Sequence, residues 1–227
     1  MGEPGEPVIE QGEGNAGEQR GSRPGWRRLA VALLVVVALG AAGVLWPRTT
    51  SGSGAAGSLT DEPSLGPADA PVTIIEYGDF GCTTCRSWYR QGVLQQILSH
   101  YGPQVRFVWR DFPIITAASP LAAEAGQCAF DQNRFWDYHD LLYDRAPALS
   151  AKDLKAYATE LGLDAARFDA CLDSGMHQAK IEASTKDAYA HGFVATPAFL
   201  VNAQPIAGPQ SFEYFKSVID PILRSQG

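Results

Sequence analysis

Glu76-Tyr77-Gly78-Asp79-Phe80-Gly81-Cys82-Thr83-Thr84-Cys85 is the stretch on which the reading of the chain turns. It grows out of Val72-Thr73-Ile74-Ile75-Glu76-Tyr77, a run rich in β-branched residues and nearly continuous in apolar character. Such a run predicts a strand covered on both faces. Gly78 to Gly81 predict a turn. From about Cys82 to His100 the pattern predicts a helix, with Trp88, Val93, Leu94 and Ile97 on its apolar face and Gly102-Pro103 ending it. Cys82 and Cys85 therefore fall where a strand ends and a helix begins.

That placement carries more chemistry than the C-x-x-C spacing alone. The first turn of a helix holds unpaired N–H groups and the positive end of its dipole. A sulfur at Cys82 lies against them, which favours the thiolate, the attacking species in disulfide exchange. Arg86 is expected to add a positive charge nearby. Cys85, one turn further in, is expected to be more buried and to resolve a mixed disulfide formed at Cys82. A thiol pKa lowered by about 2–4 units is worth about 3–5 kcal/mol, and the same energy makes the oxidised pair a stronger oxidant. Two other readings compete. Structural zinc takes four ligands at short spacings, whereas His100, His139, His177 and His191 are scattered, so no metal is expected. An inert Cys82–Cys85 disulfide would close too small a ring to restrain much chain entropy.

Working outward, Val105 to Phe112 predict a second strand, stopped by Pro113. From about Ala117 to His191 the pattern is helical. Leu121, Ala125 and Cys128 share one face, and Phe135, His139 and Leu142 another. Leu154, Tyr157 and Leu161 mark a third helix, and Phe168, Cys171 and Leu172 a fourth. Ala198 to Val201 predict a strand opened by Pro197, Asn202 to Pro205 a turn, and Ile206-Ala207 a return strand. Ser211 is placed to cap a last helix running to about Leu223. One strand–helix–strand unit and one hairpin–helix unit would share a mixed sheet. The helical block, at about 115–192, is too long for a loop and reads as an insertion.

The first 68 residues have a different character. Residues 1–28 are rich in Gly, Glu and Pro and read as a disordered cytoplasmic segment. Leu29 to Trp46 carry no charge, and as a helix would span about 27 Å, close to a hydrocarbon core of about 30 Å. Trp26 and Trp46 bracket the run, and Arg20, Arg23, Arg27 and Arg28 precede it. The positive-inside rule then leaves the N-terminus in the cytoplasm and the rest outside. A cleaved signal peptide is the alternative, although its apolar core would be shorter and its basic region briefer. No cysteine lies near the run, which excludes a lipoprotein. The expected localisation is the bacterial cell membrane, single-pass, with residues 29–46 as anchor, 47–68 as a flexible linker and 69–227 as the exported domain.

Formal net charge is −7. An acidic domain without a basic stripe repels phosphate backbones, so no nucleic-acid partner is expected. Four cysteines, an even count, suit an oxidising compartment.

Three features in order resemble DsbA-like proteins of the thioredoxin superfamily: the stretch from Glu76 to Cys85, the helical block containing Phe135-Trp136-Asp137-Tyr138-His139, and Ala195-Thr196-Pro197-Ala198-Phe199. The resemblance covers roughly residues 64–225. It implies an α/β chain with a thioredoxin fold and an inserted helical subdomain, here preceded by one N-terminal transmembrane helix. It implies that Pro197 is cis, where an ordinary trans proline would merely start a strand. Thr196 could then pair its backbone with an extended substrate beside Cys82. Glu76 matches an acidic residue beneath the family's active-site sulfurs. Buried, it would have a raised pKa and could shuttle a proton for Cys85; near the strand end, it could instead reach water. The dipeptide Thr83-Thr84 departs from the Pro-His type common in the family, which leaves the redox potential open.

Cys128 and Cys171 fall on apolar helix faces. They read as a structural disulfide, with buried free thiols or a second redox pair as alternatives. His139 and the aromatic residues around Trp136 read as core. The expected function is a thiol–disulfide oxidoreductase outside the cytoplasm, oxidising unfolded or reduced exported proteins through Cys82–Cys85. It needs no cofactor of its own and, by the resemblance, is re-oxidised by a quinone-linked membrane partner of the DsbB or vitamin-K-epoxide-reductase-like type. A reductase or isomerase of the same fold, and a non-catalytic holdase or metallochaperone, are the alternatives.

Overall fold

The computed structural model describes residues 59–225. The segments read as a cytoplasmic tail and an apolar anchor, at 1–28 and 29–46, lie outside them. Among the described residues no helix is long and apolar enough to cross a membrane.

Among the described residues, five strands form one mixed sheet. Strands β1 (Ser64–Leu65), β2 (Val72–Gly78), β3 (Val105–Asp111), β4 (Ala198–Val201) and β5 (Gln204–Ala207) lie in the order β1-β3-β2-β4-β5. Only the β2–β3 pair is parallel. Parallel neighbours need a long crossover. It is supplied by helices α1 (Thr83–Arg90) and α2 (Val93–Tyr101). These are two helices where the sequence predicts one. Gly92 takes a left-handed φ of 68°, which a side chain resists and glycine does not, and the chain turns there.

Between β3 and β4 run α3 (Ser119–Phe130), α4 (Phe135–Arg145), α5 (Ala151–Glu160), α6 (Ala165–Ser174) and α7 (Gln178–Ala190). Helix α8 (Phe212–Arg224) closes the chain, and the Ser211 hydroxyl caps it by accepting from Tyr214 N. The β4–β5 turn is shorter than expected, because Gln204 and Pro205 already belong to β5. Asn202 adopts φ 50° there, and its Oδ1 accepts from Thr73 N at 2.8 Å. Proline is tolerated in β5 because that strand is the sheet edge.

Alternation along β2 divides the core. Val72 and Ile74 face Trp88, Ile97, Phe107, Phe199 and Phe215, beneath α1, α2 and α8. Ile75 and Tyr77 face Val108, Phe112, Phe193 and Ala188 of α7. A third cluster joins Phe80 and Trp109 to the helical block through Phe135, Tyr138, Tyr143 and Leu149.

Residues 59–68 correct the expected linker. β1 pairs antiparallel with β3, and Trp109 N donates to Pro63 O at 2.9 Å. The Glu62 carboxylate is buried between Arg110 (3.5 Å) and Lys180 (3.1 Å). A buried carboxylate needs such partners, and both cations come from far along the chain, so local composition does not reveal the docking.

Cys128 of α3 and Cys171 of α6 form a disulfide across 43 residues of sequence. In the chain-entropy model a loop of that length contributes about 4 kcal/mol. The Cys128→Ala/Cys171→Ala double variant is expected to lose about 2–4 kcal/mol of stability in urea unfolding, with its Cys82 and Cys85 thiols still reactive. A loss below about 0.5 kcal/mol would show that the bridge does not restrain the unfolded chain.

Candidate active site

The turn between β2 and α1 is built around Asp79. Its Oδ1 accepts from Gly81 N at 2.7 Å, and its Oδ2 accepts from Ile115 N at 2.8 Å. One buried carboxylate therefore ties the approach to Cys82 to the segment that enters the helical block. Two glycines are sterically required. A Cβ on Gly78 would lie 2.2 Å from the Trp109 ring, and one on Gly81 would lie 2.5 Å from Ser119 Oγ.

Cys82 is the N-cap of α1, with φ −83° and ψ 118°, and its Sγ accepts from Cys85 N at 3.3 Å. Serine, threonine and aspartate oxygens usually take this position; here a sulfur does. The Cys85 thiol is the strongest group holding the Cys82 pKa down; Thr196 and the backbone N–H groups of Cys85 and Thr84 add to it. Together they overcome burial and bring the pKa to about 5. Arg86, expected as a nearby charge, is not part of this set. Its guanidinium turns to the helical block and donates to Ala146 O.

Cys85 is fully buried, and its pKa is pushed well above the usual cysteine range. Burial is the largest cause, followed by its hydrogen bond to Cys82 and the Glu76 charge. Glu76 sits in β2, paired with Trp109 and Phe199 on either side, with only 2 % of its surface exposed. Burial first, and the Cys82 charge second, raise its pKa to about 8. The water-exposed alternative for Glu76 is thereby removed.

The Thr196-Pro197 bond is cis, and the Cys82 thiol lies 3.4 Å from Thr196 O. The Cys82 and Cys85 thiols are free, while Cys128 and Cys171 stand apart as a disulfide. A His177 ring nitrogen lies within 4.8 Å of those two sulfurs, but their bond leaves no thiolate to bind a metal.

Sequence reasoning missed two groups that the fold brings to the pair. Tyr143 of α4 is buried with its hydroxyl unpartnered, and the Cys85, Glu76, Cys82 and Asp79 charges all push its pKa up, after burial itself. Pro147 follows a second cis bond, Ala146-Pro147, and lines the space beside Cys82. Both come from the end of α4, and neither follows a family-like motif. His139 is buried among Phe80, Trp109 and Tyr143, a core position.

The sequence model of the thioredoxin family matches residues 58–221. Among solved structures, oxidised BdbD from Bacillus subtilis superposes with a TM-score of 0.67 at 24% identity, covering 74% of this chain and 95% of that one. A thioredoxin-like oxidoreductase from Silicibacter pomeroyi DSS-3 gives 0.65 at 27%, covering 72% and 93%. Wolbachia pipientis alpha-DsbA1 gives 0.62 at 22%, covering 71% and 90%. The chain belongs to the thioredoxin family. Its fold is similar to those of DsbA-like structures, with the helical block inserted between β3 and β4.

Curated relatives include the Na(+)/H(+) antiporter NhaA of Herminiimonas arsenicoxydans, 36% identical over 70% of this chain and 25% of that protein. NhaA 3 of Salinispora tropica is 34% identical over 68% and 24%. The chain spans about a quarter of the length of these relatives.

The thiolate at Cys82 gives two measurable consequences. Its ultraviolet absorbance is expected to titrate near pH 5 in the reduced protein; titration near 8.5, like free cysteine, would refute the capping argument. Because the folded pKa is the lower one, the thiolate's stabilisation of the reduced protein is complete above about 8.5. It is lost as pH falls through about 5. The unfolding midpoint of the reduced form should therefore rise relative to the oxidised form as pH is raised from 5 towards 8.

Proposed function

We propose that this chain oxidises thiol pairs in reduced or unfolded exported proteins. The observation that carries the reading is the ionisation asymmetry of the pair: Cys82 is held as a thiolate, whereas Cys85 is held as a thiol. A thiolate that is stable in the reduced enzyme is also a good leaving group, which favours passing the disulfide on.

In the forward step a substrate thiolate attacks Sγ of Cys82 in the oxidised pair. The Cys82–Cys85 bond breaks, a substrate–Cys82 bond forms, and Cys85 leaves with the electron pair and takes up a proton. Glu76, with its pKa near 8, carries a proton at neutral pH and is the group suited to deliver it. A second substrate thiolate then attacks the substrate sulfur, and Cys82 departs as thiolate. The substrate has lost two electrons, which the reduced pair now holds.

Returning the pair to the disulfide needs an acceptor. A quinone-linked membrane protein of the DsbB or vitamin-K-epoxide-reductase-like type suits it. Anchoring through residues 29–46, in a bacterial cell membrane with the catalytic domain outside, would raise the local concentration of the two partners. The antiport named for the curated relatives is not carried over, since three quarters of their length has no counterpart here.

Two measurements test the reading. Equilibration with glutathione is expected to give a reduction potential nearer the about −120 mV of strong oxidants than the about −270 mV of thioredoxin. A value at the thioredoxin end would turn the assignment to a reductase. In refolding of a reduced, unfolded substrate, Cys82→Ser should abolish the acceleration given by the oxidised wild type; equal performance would make the chain a holdase.

A further inference from the structure

A cavity of about 780 Å³ lies within the helical block, between α3, α6 and α7. Pro113, Pro120, Leu121, Leu172, Ile181 and Tyr189 wall it, and neither Cys82 nor Cys85 reaches it. Glu124 of α3 also lines it, with only 5 % of its surface exposed. We propose that this cavity binds a small molecule with an apolar body and one ammonium group, the ammonium meeting the Glu124 carboxylate. The site stands apart from the thiol chemistry and does not depend on the oxidase reading.

The walls argue for the apolar body. The volume falls within the roughly 300–1,000 Å³ of small-molecule sites, which are mostly apolar with a few placed polar groups. Leu172 and Ile181 are buried side chains, and the two prolines offer no N–H. Tyr189 is 52 % exposed, its ring set edge-on to Phe112. A half-exposed aromatic ring beside prolines and aliphatic side chains is apolar surface left in water, and covering it is favourable.

Glu124 argues for the head group. Its Oε1 accepts from His177 N at 2.7 Å, at the N-cap of α7. Among the described residues its Oε2 meets no hydrogen-bond donor. A carboxylate can accept about four hydrogen bonds, so one bond leaves this buried group under-satisfied. Burial pushes its pKa up, while the His177 N–H and then the His177 ring pull it back. The positive end of the α7 dipole favours the charge as well. An ammonium brings the missing counter-charge and three donors.

The other polar groups of the lining compete little. Gln178 Nε2 donates to Glu182 Oε1 at 2.9 Å, and Thr185 Oγ1 donates to Ile181 O at 2.9 Å. Lys186 is exposed at the rim, where water and salt screen it. Two carboxylates against one lysine leave the lining net negative, which disfavours an anionic ligand.

The test uses the full chain and three probes that share one naphthyl body: naphthylethylamine, naphthylethanol and naphthylacetate. Dissociation constants are measured by isothermal titration calorimetry in one medium for wild type and variants, so uptake outside the cavity is common to all. Wild type is expected to bind the amine roughly tenfold tighter than the alcohol, and the carboxylate more weakly than either. Glu124→Gln keeps an oxygen to accept from His177 N but removes the charge, and the amine advantage should fall to about twofold or less. Thr185→Trp fills the cavity from α7 and should weaken all three probes alike, by about tenfold. Absence of saturable amine binding by the wild type would overturn the proposal. So would an alcohol or carboxylate that binds as tightly as the amine, or an amine preference that survives Glu124→Gln. A Thr185→Trp chain that melts like the wild type yet binds the probes unchanged would place their site elsewhere and overturn it too.

Discussion

The hydrogen bonds that converge on the sulfur of Cys82 are the interaction from which the rest of the site follows. Cys85 N reaches that sulfur at 3.3 Å because Cys82 stands at the N-cap of α1, outside the helix yet facing its first turn. Any drift of the chain before Cys82 would pull the sulfur out of reach. Three features prevent that drift: the Asp79 carboxylate bonded to Gly81 N and Ile115 N, the bare α-carbon of Gly81 against Ser119, and the bare α-carbon of Gly78 over Trp109. The turn is thus held from the sheet on one side and from the helical block on the other. Neither alone would fix the cap.

Burial then sorts the charges. Cys82, Cys85 and Glu76 lie close enough that an anion on one raises the pKa of its neighbours, as the Cys82 charge does for Glu76 and the Glu76 charge does for Cys85. A closed, poorly hydrated site cannot hold all three ionised. The converging donors settle which one carries the charge, and Cys82 takes it. Glu76 and Cys85 then remain protonated near neutrality, so that Glu76 holds a proton that an anion formed at Cys85 could accept. The two sulfurs differ because one is a cap and the other is one turn deeper.

Much of this was legible in the residues. The apolar run from Val72 to Tyr77, the C-x-x-C directly after it and the Ser211 cap are local signals, and each element they predict is present. The bend at Gly92 was less so, since glycine inside an amphipathic pattern does not announce its φ. Arg86 shows where sequence proximity misleads. It is one position from Cys85, yet its long side chain satisfies a carbonyl of the helical block instead. Tyr143 and Pro147 were out of reach for a related reason. They come to the sulfurs only once α4 has packed against Phe80, which no periodicity encodes. The docking of residues 59–65 depends likewise on Arg110 and Lys180, many positions downstream.

The helical block is therefore more than a covering for the sheet. Below Trp109, whose ring lies under Gly78, runs a chain of polar contacts. Trp109 Nε1 donates to Asp111 Oδ1 at 2.9 Å and Gln127 Nε2 to Asp111 Oδ2 at 2.6 Å. Lys180 Nζ donates to Gln127 Oε1 at 2.8 Å and pairs with Glu62 at 3.1 Å. One network thus joins β3, α3, α7 and the segment before β1. Trp109, Asp111 and Gln127 are buried, so breaking their links leaves a polar group away from water, which costs more than the bond itself is worth. Buried polar networks of this kind favour a single arrangement over many similar ones. Here that arrangement fixes the Trp109 ring, the ring limits the turn at Gly78, and the turn delivers Cys82 to the helix N-terminus. The reactivity of one sulfur is in this sense set by the docking of an insertion that supplies none of the reacting atoms.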